Sequence, residues 1–138
     1  MTRGAKFALI TVAVIVLLLV AGHMAFTMRD DRLAATFRFA VEEPEAALKQ
    51  IVSTAERSGT LTGSGSGVAV PGKKSSILGR TEWTISPDGV IRGVAPERGL
   101  VVMLVPKMQD GKVVWNCKLE PEREFMPATC RSLVQVNR

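Results

Sequence analysis

The two cysteines are the residues of this chain whose chemistry can be predicted most directly. Cys117 and Cys130 are its only cysteines, and both lie near the C-terminal end of the sequence. In an oxidising compartment such a pair is expected to form one disulfide, whose loop would stabilise the fold by about 3 kcal/mol. In a reducing compartment they would instead be two separate buried thiols. Which of the two holds depends on where the chain resides.

Other reactive groups are scarce. His23 is the only histidine and no G-x-S-x-G sequence occurs, so a hydrolase is not expected. One histidine and two cysteines are also too few for a multi-histidine or cysteine-rich metal centre. Glu42, Glu43 and Glu45 are neighbours, and we predict that they form a solvated face rather than a catalytic carboxylate cluster. We therefore predict no enzymatic activity, no cofactor and no small-molecule substrate.

Length and charge restrict the partners. The chain has 138 residues, enough for one small domain, and a net charge of +5. Two Trp, five Phe and no Tyr are too few for a surface that stacks nucleic-acid bases. Scattered basic residues would bind DNA phosphates only if they met on one face, and ordinary surface cations are the simpler interpretation. These basic residues are Lys73, Lys74, Arg80, Arg92, Arg98, Lys107, Lys112, Lys118 and Arg131.

An uncharged apolar segment near the N-terminus predicts where the rest of the chain lies. Residues 7–22 read FALITVAVIVLLLVAG, and the stretch without charge continues through residue 26. About twenty helical residues cross the hydrocarbon core of a bilayer. Arg3 and Lys6 precede the segment, so the positive-inside rule places the N-terminus in the cytoplasm. We predict an anchor over residues 1–28, with a transmembrane helix over roughly residues 7–26, and a head over 29–138 outside the cytoplasm.

A cleaved signal peptide is the alternative, because its basic start and apolar core would look similar. Val20, Ala21 and Gly22 would then supply the small residues of the cleavage site. The retained anchor is favoured because apolar residues continue past that site. Both hypotheses export the head, so both favour the disulfide.

A helical pattern follows the anchor. Pro44 interrupts it, and this proline either kinks one continuous helix or begins a second helix. Gly59 is expected to end the helical region. Residues 60–67, TLTGSGSG, are predicted to be a flexible polar linker. The apolar stripe of the pattern consists of Leu33, Phe37, Val41, Leu48, Ile51, Val52 and Ala55.

The second half of the chain predicts four strands joined by turns. Residues 79–85 alternate, with Thr81, Trp83 and Ile85 on one face, and the strand ends at the turn sequence Ser-Pro-Asp-Gly. Strands over 90–94, 100–105 and 112–117 follow, the second of them a continuous apolar run typical of a well-covered central strand, with a turn over 106–111. The predicted fold class is α+β: a long N-terminal helix, membrane-spanning in its first half, packed on a four-stranded antiparallel sheet.

Two segments near the cysteines resemble a known family. Residues 111–117, GKVVWNC, and residues 125–131, FMPATCR, closely resemble the C-terminal disulfide region of bacterial type IV pilins. The strand pair around the Asp-Gly turn and the apolar strand ending in Pro106 also resemble that family. The resemblance implies a pilin-like fold and a Cys117–Cys130 disulfide. It also implies an exposed loop after the last strand. The loop residues Lys118, Glu120, Glu122, Arg123 and Glu124 would form either a recognition patch or merely a polar rim, and the polar rim is the simpler interpretation.

The N-terminus departs from the pilin pattern. Met1 to Gly4 resembles a basic prepilin leader, which would be cut between Gly4 and Ala5. The family has Phe after the leader and Glu at the fifth mature position, whereas this chain has Ala5 and Leu9. The departure favours a minor or accessory subunit over a major one.

The resemblance implies a role in pilus assembly, adhesion or motility, in the inner membrane with a periplasmic head or in surface pili. Its expected partners are other pilin subunits or pilus assembly proteins. The alternative is a membrane-anchored periplasmic module that binds a protein partner or DNA and does not polymerise.

Overall fold

The computed structural model describes residues 3–120, with side chains from residue 10 onward. The chain divides into two compact units, which meet between Ala34 and Ala35. The helices are α1 Arg3–Phe37 and α2 Glu45–Ser58, with a π-helical segment, Arg38–Glu42, between them. The strands are β1 Lys74–Ser75, β2 Gly79–Arg80, β3 Glu82–Ile85, β4 Ile91–Ala95, β5 Leu100–Gln109 and β6 Lys112–Glu120.

The first unit is a largely apolar helix whose described apolar side chains are mostly exposed. All its side chains from Ile10 through Asp31 are exposed, and Leu17 and Leu19 are each 68% exposed. The helix is long and apolar enough to cross a membrane, although a signal sequence near an N-terminus would pass the same test. The predicted transmembrane segment is therefore helical, and its exposed apolar side chains are compatible with the hydrocarbon core of a membrane.

The helical region of the second unit departs from the predicted stripe. Phe37 is 38% exposed, whereas Phe39 and Ala40 are buried. The reason is the π-helical segment, because a π-turn contains one residue more than an α-turn. The extra residue changes which side chains of the helical region face the sheet. Pro44 begins a second helix, the second of its two predicted roles, because it occupies the position before Glu45, where a missing N–H costs nothing.

Glycine ends α2 as predicted. Gly59 has φ +74° and donates its N–H to the carbonyl of Ala55, which satisfies one of the unpaired carbonyls at a helix end. The left-handed backbone at this position favours glycine over any residue with a Cβ.

The predicted four-stranded antiparallel meander is confirmed, in the order β3-β4-β5-β6. Its first predicted strand, residues 79–85, is divided at Thr81. Gly79–Arg80 pairs with β1 in a separate hairpin, and only Glu82–Ile85 joins the main sheet. The Thr81 backbone N–H donates to the carbonyl of Lys73, and the Thr81 hydroxyl accepts a hydrogen bond from the Lys73 N–H. These two bonds tie the hairpin to the sheet.

Two strand ends differ from prediction. β5 passes through Pro106, and the predicted six-residue turn shrinks to Asp110 and Gly111. Proline is tolerated in β5 because β4 pairs with β5 only as far as Leu104. At Pro106, β5 therefore has a paired strand, β6, on one side only. β5 is also covered on one face rather than two, since its residues alternate between buried and partly or fully exposed over most of its length.

The core lies between α2 and one face of the sheet, as the predicted fold class requires. Apolar burial drives this packing, because each element alone leaves an apolar face in water. Helical residues Phe39, Ala40, Ala47, Leu48, Ile51 and Ala55 pack with strand residues Ile91, Ala95, Leu100, Val102, Leu104, Val113, Trp115 and Leu119.

The segment 60–67 is packed rather than a free linker, so that prediction is wrong. Ser64 is 1% exposed, and the N–H of Gly65 donates to the carbonyl of Pro87 in the β3–β4 turn at 3.0 Å. A Cβ on Gly65 would overlap the carbonyl oxygen of Ser86. Gly65 therefore permits close backbone contact, a role that composition alone does not distinguish from flexibility.

Candidate functional site

The predicted cysteine site is positioned by the last strand of the sheet. Cys117 lies on β6 opposite Leu104 of β5, half-buried and packed against the core. Its predicted partner Cys130 lies outside the described residues. The geometry of a bond between them is therefore not described, and the Cys117–Cys130 pairing stays a prediction.

The predicted recognition residues divide between a strand and the undescribed segment. Lys118 and Glu120 belong to β6 rather than to a loop, because the strand continues three residues past Cys117. The Lys118 Nζ and a carboxylate oxygen of Glu120 lie 3.2 Å apart, and both side chains are about two-thirds exposed. Ion pairs at this exposure contribute little to stability. Glu122, Arg123 and Glu124 lie outside the described residues.

The predicted leader site falls at the start of α1. Gly4 and Ala5 are helical in backbone conformation, and their side chains lie outside the described part of the chain. Cleavage between them stays a prediction. His23 is exposed on the same helix, and its backbone carbonyl accepts a hydrogen bond from the Thr27 hydroxyl at 3.2 Å.

One acidic residue of the predicted solvated face has a structural role instead. Glu43 is half-buried, and its Oε2 accepts hydrogen bonds from the Trp83 indole N–H at 2.8 Å and from the Thr81 hydroxyl at 2.9 Å. The carboxylate thereby satisfies two polar groups that burial removes from water. Glu42 and Glu45 are exposed, as predicted, and Glu45 pairs with Lys49 on the next turn of α2.

Trp83 connects the π-helical segment to the sheet. Its ring lies 5.1 Å from that of Phe39 at an interplanar angle of 45°. Across the strands it faces Gly93, and a Cβ at Gly93 would collide with the indole ring. The sequence analysis missed this cluster. The available signal was Trp83 itself, because a tryptophan on a buried face needs a partner for its N–H.

Two further acidic side chains hold the ends of the sheet. Glu56 of α2 accepts the backbone N–H of Val113 at 3.1 Å and lies 3.5 Å from the Lys112 ammonium. Glu97 accepts the backbone N–H of Arg80 at 3.2 Å, which fastens the β1–β2 hairpin to the short 3₁₀ turn before β5. These carboxylates serve the fold, and none of them lies in a described group that could share a metal ion.

The predicted basic residues belong to more than one element. Some lie on strands of the main sheet, and others belong to the β1–β2 hairpin or to the 3₁₀ turn Pro96–Arg98 beside it. On the strands lie Arg92, Lys107, Lys112 and Lys118; in or beside the hairpin lie Lys73, Lys74, Arg80 and Arg98. Lys112 pairs with Glu56 of α2, and Arg80 pairs with Glu82 of β3. Arg131 lies outside the described residues, and DNA binding stays a prediction.

Comparison of the chain with family models, with curated proteins and with solved structures found no match. The pilin resemblance therefore depends on the residues of the sequence that carry it. Among residues 10–120, no three His, Cys, Asp or Glu side chains come together as a metal site.

Proposed function

We propose that this chain is a type IV pilin-like protein, a minor or accessory subunit that takes part in pilus assembly, adhesion or motility. The observation that carries the proposal is the placement of the GKVVWNC motif. Its Trp115 is buried under α2 and its Cys117 lies on the last strand of an antiparallel meander. A disulfide from a cysteine at this position would tie the chain that follows β6 back to the sheet.

The apolar helix supports the same proposal. A long N-terminal helix supplies a membrane anchor in its first half, while the helical region that follows supplies the apolar face on which the sheet packs. In this proposal the N-terminus is cytoplasmic, the head is periplasmic, and the partners are other pilin subunits or assembly proteins.

The absence of an acid in the anchor favours a second candidate, a membrane-anchored binding module that does not polymerise. No Asp or Glu occurs before Asp30. An acid within the bilayer costs about 2.5–3.5 kcal/mol, a cost that pilins bear for assembly and this chain avoids. Such a module would hold a protein partner or DNA through its exported head.

Fractionation combined with intact-mass measurement tests the proposal. The subunit hypothesis predicts that the chain copurifies with filaments sheared from the cell surface, in a small amount relative to the major subunit. The binding-module hypothesis predicts that all of it remains in the membrane fraction with Met1 to Gly4 still present. Recovery of a soluble head beginning at His23 would contradict both, because it would show a cleaved signal peptide.

A further inference from the structure

The outward face of the main sheet carries an apolar patch. This face points away from α2, and its side chains alternate with the core residues along β4, β5 and β6. The register places Val94 beside Val101 and Arg92 beside Met103. Val105 is 39% exposed and the other apolar members are half-buried. The patch consists of Val94, Val101, Met103, Val105 and Val114.

Two cations without ion-pair partners among residues 10–120 lie beside this patch. Arg92 is next to Met103 across the strands, and Lys107 is two residues beyond Val105 on β5. Both are exposed. The acidic residues on the same face have neighbours already, since Glu82 pairs with Arg80 and Glu120 with Lys118. The unneutralised charge of the face is therefore positive.

A second copy of this face is a poor occupant. Consider two copies placed face to face and related by a two-fold axis at Val105. Lys107 and Met103 lie two residues on either side of Val105 along β5, so Lys107 of one copy would lie over Met103, and beside Arg92, of the other. Like charges would approach each other twice, which opposes association.

Nucleic acid is also a poor occupant. Both tryptophans lie on the α2 side of the sheet, Trp115 buried and Trp83 bonded to Glu43. Within residues 10–120, the outward face therefore offers no ring on which a base can stack. Two unpaired cations are few for binding by phosphate contact alone, and an apolar centre gains nothing from a polyanion.

We propose that the outward face of the sheet binds an anionic lipid surface. The cations Arg92 and Lys107 would contact the headgroup phosphates. The patch around Val105, which lies between the two cations, would contact the interfacial region of the bilayer. This inference depends on the membrane anchor of the proposed function, which keeps the head within reach of headgroups at a high effective concentration. Two cations alone make binding weak without such an anchor.

The test uses the full-length chain in lipid nanodiscs made of phosphatidylcholine with or without phosphatidylglycerol. An environment-sensitive dye is placed on a Val105→Cys variant, and the unaltered chain serves as the labelling blank for Cys117 and Cys130. Ser66→Cys is the matched control, because Ser66 is exposed in the packed segment 60–67. We expect a blue shift of the dye at position 105 in anionic discs alone, none at position 66, and loss of the shift in high salt.

Charge reversal supplies the second arm. In anionic discs, the double variant Arg92→Glu, Lys107→Glu should lower the ratio of docked to undocked heads, as reported by the dye at position 105, at least about 30-fold, since each cation contributes about a factor of five. Reversal of Lys73 and Lys74 in the hairpin should have no comparable effect.

Three results with the discs would overturn the inference. An equal shift in neutral and anionic discs would mean that residues 121–138 or another apolar group covers the patch. A shift that grows with the number of chains per disc would identify a second copy, and one that requires added DNA would identify nucleic acid. If the chain leaves the discs, the anchor of the proposed function fails. The released chain is then sedimented with anionic vesicles, and insensitivity to the Arg92 and Lys107 reversal overturns this inference too.

Discussion

At the scale of single residues, the two tryptophans show how one side-chain type takes two different roles. The Trp83 N–H donates to Glu43 at 2.8 Å, whereas the Trp115 N–H is buried and has no hydrogen-bond partner among the residues that the structure describes. A satisfied buried donor contributes modestly to stability, and an unsatisfied one costs about 1–3 kcal/mol. The same substitution should therefore have unequal effects at the two positions.

We expect Trp83→Phe to lower the free energy of unfolding by about 1–3 kcal/mol, because it leaves the Glu43 carboxylate half-buried with one donor fewer. Trp115→Phe should cost less, since it removes the orphan donor along with some apolar contact. Chemical unfolding of the head, followed by near-UV circular dichroism, measures both. Adding Glu43→Ala to Trp83→Phe should cost less than the sum of the single changes. A larger loss at Trp115 than at Trp83 would contradict the assigned hydrogen bonds.

The cysteines give a second prediction at this scale. If Cys117 and Cys130 form a disulfide, Cys117→Ser, Cys130→Ser and the double variant should each lose the same stability, about 3 kcal/mol, because either change opens the same loop. In the unaltered protein, iodoacetamide should modify neither cysteine until a reductant is added, as intact mass reports. Unequal losses, additive in the double variant, would instead indicate two separate buried thiols.

At the scale of elements, the π-helical segment decides which helical residues face the sheet. Phe37 and Phe39 lie two residues apart, and the regular spacing of the sequence favoured Phe37 for the core. The extra residue in the Arg38–Glu42 turn reverses that choice, since Phe39 is fully buried against Trp83. Glu43 follows directly and fixes the segment to β3.

The burial of Phe39 in place of Phe37 can be tested by substitution. Phe39→Ala should destabilise the head by about 3–5 kcal/mol, because it empties a buried aromatic site. Phe37→Ala, at a residue that is 38% exposed, is the matched control and should change the stability of the head by much less. Thermal unfolding of the two variants distinguishes the π-shifted arrangement from a regular helix, which would give the opposite order.

The packed segment after α2 gives another prediction for this scale. Gly65→Ala should lower the stability of the head by about 1–3 kcal/mol, because the new methyl group would overlap the backbone of Ser86 and the β3–β4 turn. Ser66→Ala, at the adjacent exposed position, should be nearly neutral. If both variants melt at the temperature of the unaltered protein, the segment is a free linker after all.

At the scale of the whole molecule, one chain combines two units with different solvents. The first exposes apolar side chains over residues 10–26, and the second buries most of its apolar residues between a helix and a sheet. Water suits most of the surface of the second unit, while the apolar side chains of the first suit lipid or the apolar surface of another protein.

A charge at the centre of the apolar helix tests that division. Ile15→Asp should reduce membrane integration, because an acid at the middle of a spanning helix costs about 2.5–3.5 kcal/mol on insertion scales. Met28→Asp lies beyond the predicted span, next to Asp30, and should integrate normally. The fraction of the chain that resists alkaline extraction from membranes gives the result. Full alkaline extraction of the unaltered chain would show that this helix does not span the bilayer.

The pattern of the sequence alone determined much of this fold. The uncharged segment, the helical spacing around Ile51, Gly59 as a helix end and the turn before β4 all predicted elements that the structure contains. Each is set by neighbours along the chain, through the period of apolar residues or the backbone angles that glycine and proline favour. The cysteine motif and its implied function also come from sequence, by resemblance.

Tertiary structure alone decided the rest. The contact of Glu43 with Trp83 joins residues 40 positions apart, so no local pattern contains it. The same is true of Gly65, whose backbone meets the β3–β4 turn, and of the outward patch, which exists only because register places Arg92 beside Met103. Periodicity gives the face of an element, but which faces meet depends on packing between distant segments, and burial then assigns each polar group its partner.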